Sequence, residues 1–416
     1  MPYLPRLVDA ELQDALKSAG FVLIEGPKAC GKTETARRAA ASEVLLDIDQ
    51  NARAAIEIDP DLVLAGDAPR LIDEWQLKPV LWNHIKRKVS DSQQKGRFIL
   101  TGSSVPADDA TRDSAAGRVS RLRMRPMSLY ETGHSSGAIS LNKLLDGDVS
   151  SVPNPGLAFA TLVDRIAIGG WPSLVTEDLQ AALRANRAYL DEIRRIDVGR
   201  VDGVHRDPER VGRVLASLAR NVATYVLPTK LGAEAAGTDG AIKTETVQEY
   251  LSALERLMIL EAQPPWSTHL RSRSRLKGLP KRLFVDPSLA VAALRTDPQR
   301  LLSDLNYLGF LFESLVIRDL RIYSQPIDGR VFQYRDNTGL EVDAIVELGR
   351  GRWGAFEVKL GSGMADAGAA NLLKFAARID TRKCGDPAVL GVIVGTGYGY
   401  RRDDGVAVIP VGALGP

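Results

Sequence analysis

The chain has 416 residues, 44% of them hydrophobic and 25% charged, with a formal net charge of +2. That length exceeds one ordinary core and points to two or three globular domains, and the near-neutral balance makes any nucleic-acid footprint local. Two cysteines, Cys30 and Cys384, exclude a disulfide framework and fit a reducing cytoplasm; four scattered histidines argue against a histidine-rich zinc site, so a metal would sit on oxygen ligands.

The first segment, MPYLPRLVDAELQDALKSAG, is amphipathic, carries acids and lacks the apolar stretch of a signal peptide. No apolar run of about 18 residues occurs, so no spanning helix and no membrane partner are expected.

A buried-looking strand at Phe21–Glu25 then leads through a loop into a helix. The loop fits G-x-x-x-x-G-K-[ST]: Gly26, Pro27, Lys28, Ala29, Cys30, Gly31, Lys32, Thr33, followed by Glu34. Its glycines let successive amides turn toward phosphate oxygens at a helix N-terminus. Lys32 would reach the β- and γ-phosphates, and the Thr33 hydroxyl would hold Mg²⁺, which makes ATP and Mg²⁺ the expected cofactors. Cys30 serves as a small residue beside phosphate.

Two further strands carry the groups such a site needs. PRLIDEWQ ends in Asp73 and Glu74, Asp73 for Mg²⁺ and Glu74 to polarise the attacking water. FILTGSS brings Thr101 or Ser103 to the C-terminal edge of the sheet, beside the γ-phosphate. A water-activating glutamate favours hydrolysis over phosphoryl transfer to a small molecule, so a P-loop kinase stands as an alternative. Arg118, after Gly117, is the candidate finger that would reach the γ-phosphate of a neighbouring subunit in a homo-oligomer; Arg121, Arg123 and Arg125 alternate like one solvated strand face.

Together GPKACGKT, LIDEWQ, FILTGSS and GRVSRLRMRPMSLYE resemble a family of prokaryotic AAA-type ATPases fused to a C-terminal domain of unknown function. The match is close over residues 118–131, and GGWPSLV at 169–175 belongs to the same resemblance, with Trp171 expected to be buried. The helical lid and sensor arginine of ordinary AAA proteins have no counterpart that the sequence reveals.

Residues 133–157 are rich in Gly, Ser and Pro and suit a connection or lid. From Asp207 an aspartate cap and a first-turn proline open a helix with Val211, Val214, Leu215, Leu218 and Val222 on one face. A second helix places Val247, Tyr250, Leu251, Leu254 and Leu257 together before a short strand, an order that suggests a winged helix. Its exposed Glu245, Glu249 and Glu255 suit a recognition helix poorly, which leaves protein contact equally open. Next, WSTHLRSRSRLKGLPKRLFVD carries Arg271, Arg273, Arg275, Lys277, Lys281 and Arg282 without an acid between Glu261 and Asp286, a candidate patch for DNA or RNA backbone.

The last segment reads as a helix with Glu313, then the strands RVFQYRDNTGLEVDAIVE and RWGAFEVKL, then a helix and a late strand. This order resembles the restriction-endonuclease core, in which an aspartate on one strand meets a Glu-x-Lys on the next. The resemblance implies that Asp343 and Glu357 hold a metal, with Lys359 and Glu313 beside them; a metal-free ion network of the same residues is the other reading. The whole is thus expected to be an α/β chain: a P-loop AAA-type ATPase domain at 1–135, a linker with lid-like helices at 136–200, a winged-helix-like segment at 201–290 and a restriction-endonuclease-like domain at 291–416. ATP hydrolysis would be coupled either to a nucleic-acid-binding, nucleolytic C-terminal half or to an inactive protein-interaction module.

Overall fold

A computed structural model describes residues 3–103, 114–201, 203–238, 240–267 and 278–416. The chain divides into two units: Met1–Pro126 with Arg195–Arg206 and Leu251–Ile259, and Met127–Arg194 with Asp207–Tyr250 and Leu260–Pro416.

The first unit begins with helix α1 (Val8–Ser18), strand β1 (Phe21–Glu25) and helix α2 (Lys32–Ala39). It continues through β2 (Ser42–Leu45), β3 (Arg70–Asp73), α3 (Leu81–Ser92), β4 (Phe98–Gly102) and β5 (Val119–Arg123). All five strands are parallel, in the order β2-β3-β4-β1-β5. FVLIE and FILTG are almost wholly buried, as strands covered on both faces must be. Phe21 pairs with both Phe98 and Val119, so the C-terminal ends of β1, β4 and β5 are level. One strand, β4, separates the strand that precedes the phosphate loop from the strand that ends in Asp73. In β5 Leu122 is buried while Arg121 and Arg123 lie on the opposite, wetter face, as the alternation predicts.

The second unit contains the helices α4 (Phe159–Ile168), α5 (Leu179–Glu192), α6 (Pro208–Arg220) and α7 (Pro228–Glu234). Helix α8 (Thr244–Arg256) starts in this unit and ends in the first; the short strands β6 (Leu260–Gln263) and β7 (Lys281–Phe284) follow and pair antiparallel. Asp207 accepts from Glu209 N, capping α6 with Pro208 in its first turn, and the stripe Val211, Val214, Leu215, Leu218 is buried. Glu245, Glu249 and Glu255 of α8 are exposed. The patch residues Arg271, Arg273, Arg275 and Lys277 lie outside the described residues.

Helices α9 (Pro287–Ala293) and α10 (Leu305–Ser324) precede a six-stranded sheet. Its strands are β8 (Arg330–Arg335), β9 (Glu341–Glu347), β10 (Trp353–Lys359), β11 (Val389–Val394), β12 (Tyr400–Arg401) and β13 (Ala407–Pro410), in the order β12-β13-β11-β10-β9-β8. The β8–β9 and β9–β10 pairs are antiparallel, while β10–β11 and β11–β13 are parallel. Helix α11 (Ala365–Arg378) packs on β10 and β11. Trp266, Trp353, Tyr334 and Phe375 fill this core, with centroids 4.8 Å apart for Trp266–Trp353 and for Tyr334–Phe375.

A buried polar knot explains the motifs PMSL and GGWP. Met127 N donates to Gly170 O at 2.6 Å, and Leu129 N donates to Asp319 on α10 at 3.0 Å. Gly170 N donates to Asp286 at 3.0 Å, and Arg318 joins Asp286 and Asp319, each at 2.7 Å. The indole of Trp171 donates to Ser288 and is buried, as expected from the sequence. Met127–Leu129 therefore belong with the second unit.

Candidate functional site

The loop after β1 turns through two left-handed residues, Ala29 (φ 61°) and Gly31 (φ 101°), before α2 begins at Lys32. A side chain at Gly26 would meet Met124 O at 2.2 Å, so only glycine lets the loop leave the sheet this closely. Lys32 is buried, and its Nζ donates to Pro27 O at 2.8 Å, across the loop that it follows. Arg6 braces the loop from behind, donating to Cys30 O at 2.8 Å and Arg125 O at 2.7 Å. Cys30 is a buried free thiol packed toward Met124 O, in keeping with a small filler residue. Lys28 pairs with Asp197 at 2.6 Å, while Glu34 sits on the outer side of α2, paired with Arg37.

Asp73 and Glu74 have separate partners. Thr33 Oγ1 donates to Asp73 Oδ1 at 2.9 Å, and Thr101 Oγ1 donates to the same oxygen. Ser103 Oγ donates to Glu74 Oε2 at 3.0 Å, and the Gln76 amide donates to that oxygen and lies 3.3 Å from Ser103 Oγ. Glu74 itself is left-handed (φ 53°), a strained backbone of the kind that concentrates at functional sites. Of the two hydroxyls weighed from the sequence, Thr101 thus serves Asp73 and Ser103 serves Glu74. Sequence reasoning missed Gln76, Arg6 and Asp197. Gln76, two residues after Glu74, is the one that motif spacing could have raised.

Oxygen ligands from Thr33 and Asp73 suit Mg²⁺, and a glycine-bounded loop at a helix N-terminus suits a polyphosphate, so these residues fit both cofactors. Arg118 lies at the other end of the sheet. Its carbonyl accepts from Gly20 N and Phe21 N, and its exposed guanidinium reaches Ser90 at 2.6 Å. The length of β1 therefore separates it from its own loop, about 15 Å at strand rise.

In the second unit Glu313, Asp343, Glu357 and Lys359 lie close together. Glu313 projects from α10. Asp343 sits where the β8–β9 register shifts, a bulge that re-aims its side chain. Glu357 and Lys359 share one face of β10. Lys359 Nζ is 2.5 Å from Glu357 and 3.8 Å from Asp343; Val358 N donates to Asp343 at 2.9 Å, and Asn371 donates to Glu357 at 2.9 Å. A residue read from the sequence as part of the basic patch also arrives here. Lys281 is turned inward by the alternation of β7, only 3% exposed, with Nζ 2.7 Å from Glu313 and 3.7 Å from Asp343. It is therefore spent on carboxylates and does not face a phosphate backbone.

Burial, with Asp343 close by, pushes the Glu313 carboxyl up to about 8 and that of Glu357 up to about 7. For Lys281 burial works against the charge, but Glu313 and Asp343 outweigh it and hold the ammonium above the usual lysine range. Among the described residues no three His, Cys, Asp or Glu side chains are arranged to hold a metal ion. The expectation that Asp343 and Glu357 hold one does not fit this donor set, because two lysine ammonium groups already engage the carboxylates.

Five parallel strands, a phosphate loop after β1 and an acid pair ending β3 define the first unit as a P-loop domain. Comparison with known proteins agrees: residues 18–133 match the family model described as "AAA domain". Residues 160–300 and 308–414 match two models described as domains of unknown function, DUF8612 and DUF4143. The chain is 26% identical over 356 residues to an uncharacterized protein of Mycobacterium bovis and, equally, to one of Mycobacterium tuberculosis; the alignment spans 84% of this chain and 72% of each relative. Among solved structures, a Walker-type ATPase of Pyrococcus abyssi aligns with 14% identity and a TM-score of 0.42, over 70% of this chain and 96% of its own. The first unit is thus a P-loop domain similar to the AAA family over residues 18–133. Among the described residues no helix is long and apolar enough to cross a membrane.

Proposed function

We propose that the first unit hydrolyses ATP with Mg²⁺. The observation that carries this reading is the division of labour between the acids: Asp73 is bound to the loop hydroxyl of Thr33, whereas Glu74 is held apart by Ser103 and Gln76. Lys32 and the loop amides bind the phosphates. Thr33 and Asp73 would hold Mg²⁺, which would supply charge neutralisation for the phosphates. Glu74 orients the attacking water and accepts its proton, with Ser103 and Gln76 fixing the carboxylate. Arg118, distant from its own loop, acts in trans across a homo-oligomer interface. A kinase would instead deliver the γ-phosphate to an acceptor. The test is therefore release of inorganic phosphate without added acceptor, and no turnover under those conditions would reject hydrolysis.

The second unit is read as a winged-helix-like segment followed by a restriction-endonuclease-like core. Supporting the first are α6, α7 and α8 followed by the β6–β7 ribbon. Supporting the second is a helix, three strands, a helix and a strand, with Glu313, Asp343, Glu357 and Lys359 converging. The lysines at the carboxylates favour a non-cleaving module whose partner, nucleic acid or protein, is governed by the ATPase.

A further inference from the structure

A restriction-endonuclease-like layout brings carboxylates from a helix and two strands to one point, where they would repel one another unless a cation stood between them. In this chain the extra cation is covalent. Lys359 is supplied by the Glu-x-Lys pattern of β10 itself. Lys281 comes from β7, a strand of the separate two-stranded ribbon, and its ammonium lies between Glu313 and Asp343.

Its position is built. Lys281 pairs with Gln263 across the ribbon, and Gln263 Nε2 donates to Asp343 O at 2.8 Å and Phe332 O at 3.0 Å. Gln333 of β8 donates to Leu279 O at 3.2 Å and accepts from Tyr225 Oη at 2.6 Å. The Tyr225 ring lies 5.4 Å from Lys281 Nζ, which adds a π face to the two carboxylates. Burying an ammonium this deeply is unfavourable unless it is paired and positioned, and here the ribbon, the sheet and the ring all do so. A Mg²⁺ ion needs oxygen ligands at about 2.1 Å in near-octahedral geometry, and the ammonium stands among the oxygens that would provide them.

We propose that Lys281 is the resident cation between Glu313 and Asp343: its ammonium takes the place of a divalent ion, the native chain binds none there, and Lys281→Met opens a divalent-cation site at these two carboxylates, leaving Glu357 with Lys359. This rests on the restriction-endonuclease-like reading of the second unit.

The experiment is Mn²⁺ titration of the full chain, free of nucleotide, followed by electron paramagnetic resonance, with Asp73→Asn in every sample to silence the nucleotide site. Lys281→Met is expected to gain one Mn²⁺ site about tenfold or more tighter than anything in its parent, and adding Asp343→Asn is expected to remove it. Lys281→Arg, which keeps a cation, is expected to gain none. If the Lys281-containing parent already takes up one Mn²⁺ that Asp343→Asn removes, the proposal is overturned while the nuclease-like reading survives. If neither the parent nor Lys281→Met binds Mn²⁺, the acid cluster is no cation site and both fall. A second measurement does not depend on the variant's folding. The ¹⁵N signal of the Lys281 ammonium in the parent, assigned by its loss in Lys281→Arg, should stay sharp in millimolar Mn²⁺; selective broadening at stoichiometric Mn²⁺ would overturn the proposal.

Discussion

Thr33 and Asp73, on different elements of the first unit, are joined by a 2.9 Å hydrogen bond from hydroxyl to carboxylate, and Thr101 fixes the same carboxylate oxygen. Asp73 is thereby tied to the phosphate loop, while Glu74 is held separately by Ser103 and Gln76. Glu74→Gln is expected to keep ATP binding while phosphate release falls about 10²–10⁴-fold, the usual span for a lost general base. Fluorescent-nucleotide binding and phosphate release, measured on one preparation, check this. A variant that turns over normally removes Glu74 from the chemistry.

Arg118 lies at the far end of the sheet from its own phosphate loop. Arg118→Ala should lower kcat with little change in ATP affinity. In equimolar mixture with Glu74→Gln, activity should reappear, because a mixed assembly can pair an intact Arg118 with an intact Glu74. Two inactive parents whose mixture stays inactive would argue against action in trans.

Gly170 is a packing position. A Cβ there would fall 1.9 Å from Met127 O and 2.6 Å from Met127 N, so Gly170→Ala should cost about 1–3 kcal/mol in thermal or denaturant unfolding. Gly309, inside α10, offers a control. A Cβ there meets nothing within 4 Å, and Gly309→Ala should gain about 0.5–1 kcal/mol through helix propensity.

Arg318 is fully buried between Asp286 and Asp319. Arg318→Met leaves two buried carboxylates without their counter-ion, a loss of about 3–5 kcal/mol when such a network is broken from one side. Because Asp286 and Asp319 also accept from Gly170 N and Leu129 N, limited proteolysis should then cut near residues 127–131 or 169–171. Unchanged protection there would show that the backbone amides alone hold these segments.

Glu313 and Glu357 both have carboxyls raised by burial, to about 8 and about 7. The folded chain then holds protons that the unfolded chain releases near the ordinary glutamate value of about 4.3. Stability from this source is complete below that value and is lost as pH rises through 7 and 8. Denaturant midpoints should decline from pH 5 to pH 9, and Glu313→Gln, which mimics the protonated acid, should flatten the decline. A midpoint that rises over this range would contradict the assignment.

The phosphate loop was legible in the sequence because its chemistry is local. Left-handed turning at Gly31, a strand before it and a helix after it are decided by neighbours within a few residues, and Asp73–Glu74 end a strand whose apolar run announces itself. The stripe of α6, its Asp207 cap and the shared face of Glu357 and Lys359 follow from periodicities of 3.6 and 2. Long-range partners were less accessible. Nothing near PMSL says that Leu129 N will be spent on Asp319, and Gln76 carries no motif signal beyond its nearness to Glu74.

Lys281 marks the division most sharply. In sequence it belongs to a run of basic residues and suggests a phosphate backbone; in the fold it is buried beside Glu313 and Asp343. Only the tertiary structure could decide this, because the direction of Lys281 depends on the β6–β7 register and on where the ribbon meets β8, while that of Asp343 depends on a bulge. Residue types and local periods determined the P-loop framework and the identity of the charged groups. Long-range strand register determined which charges meet, since a shift of one residue turns every side chain of a strand to the opposite face.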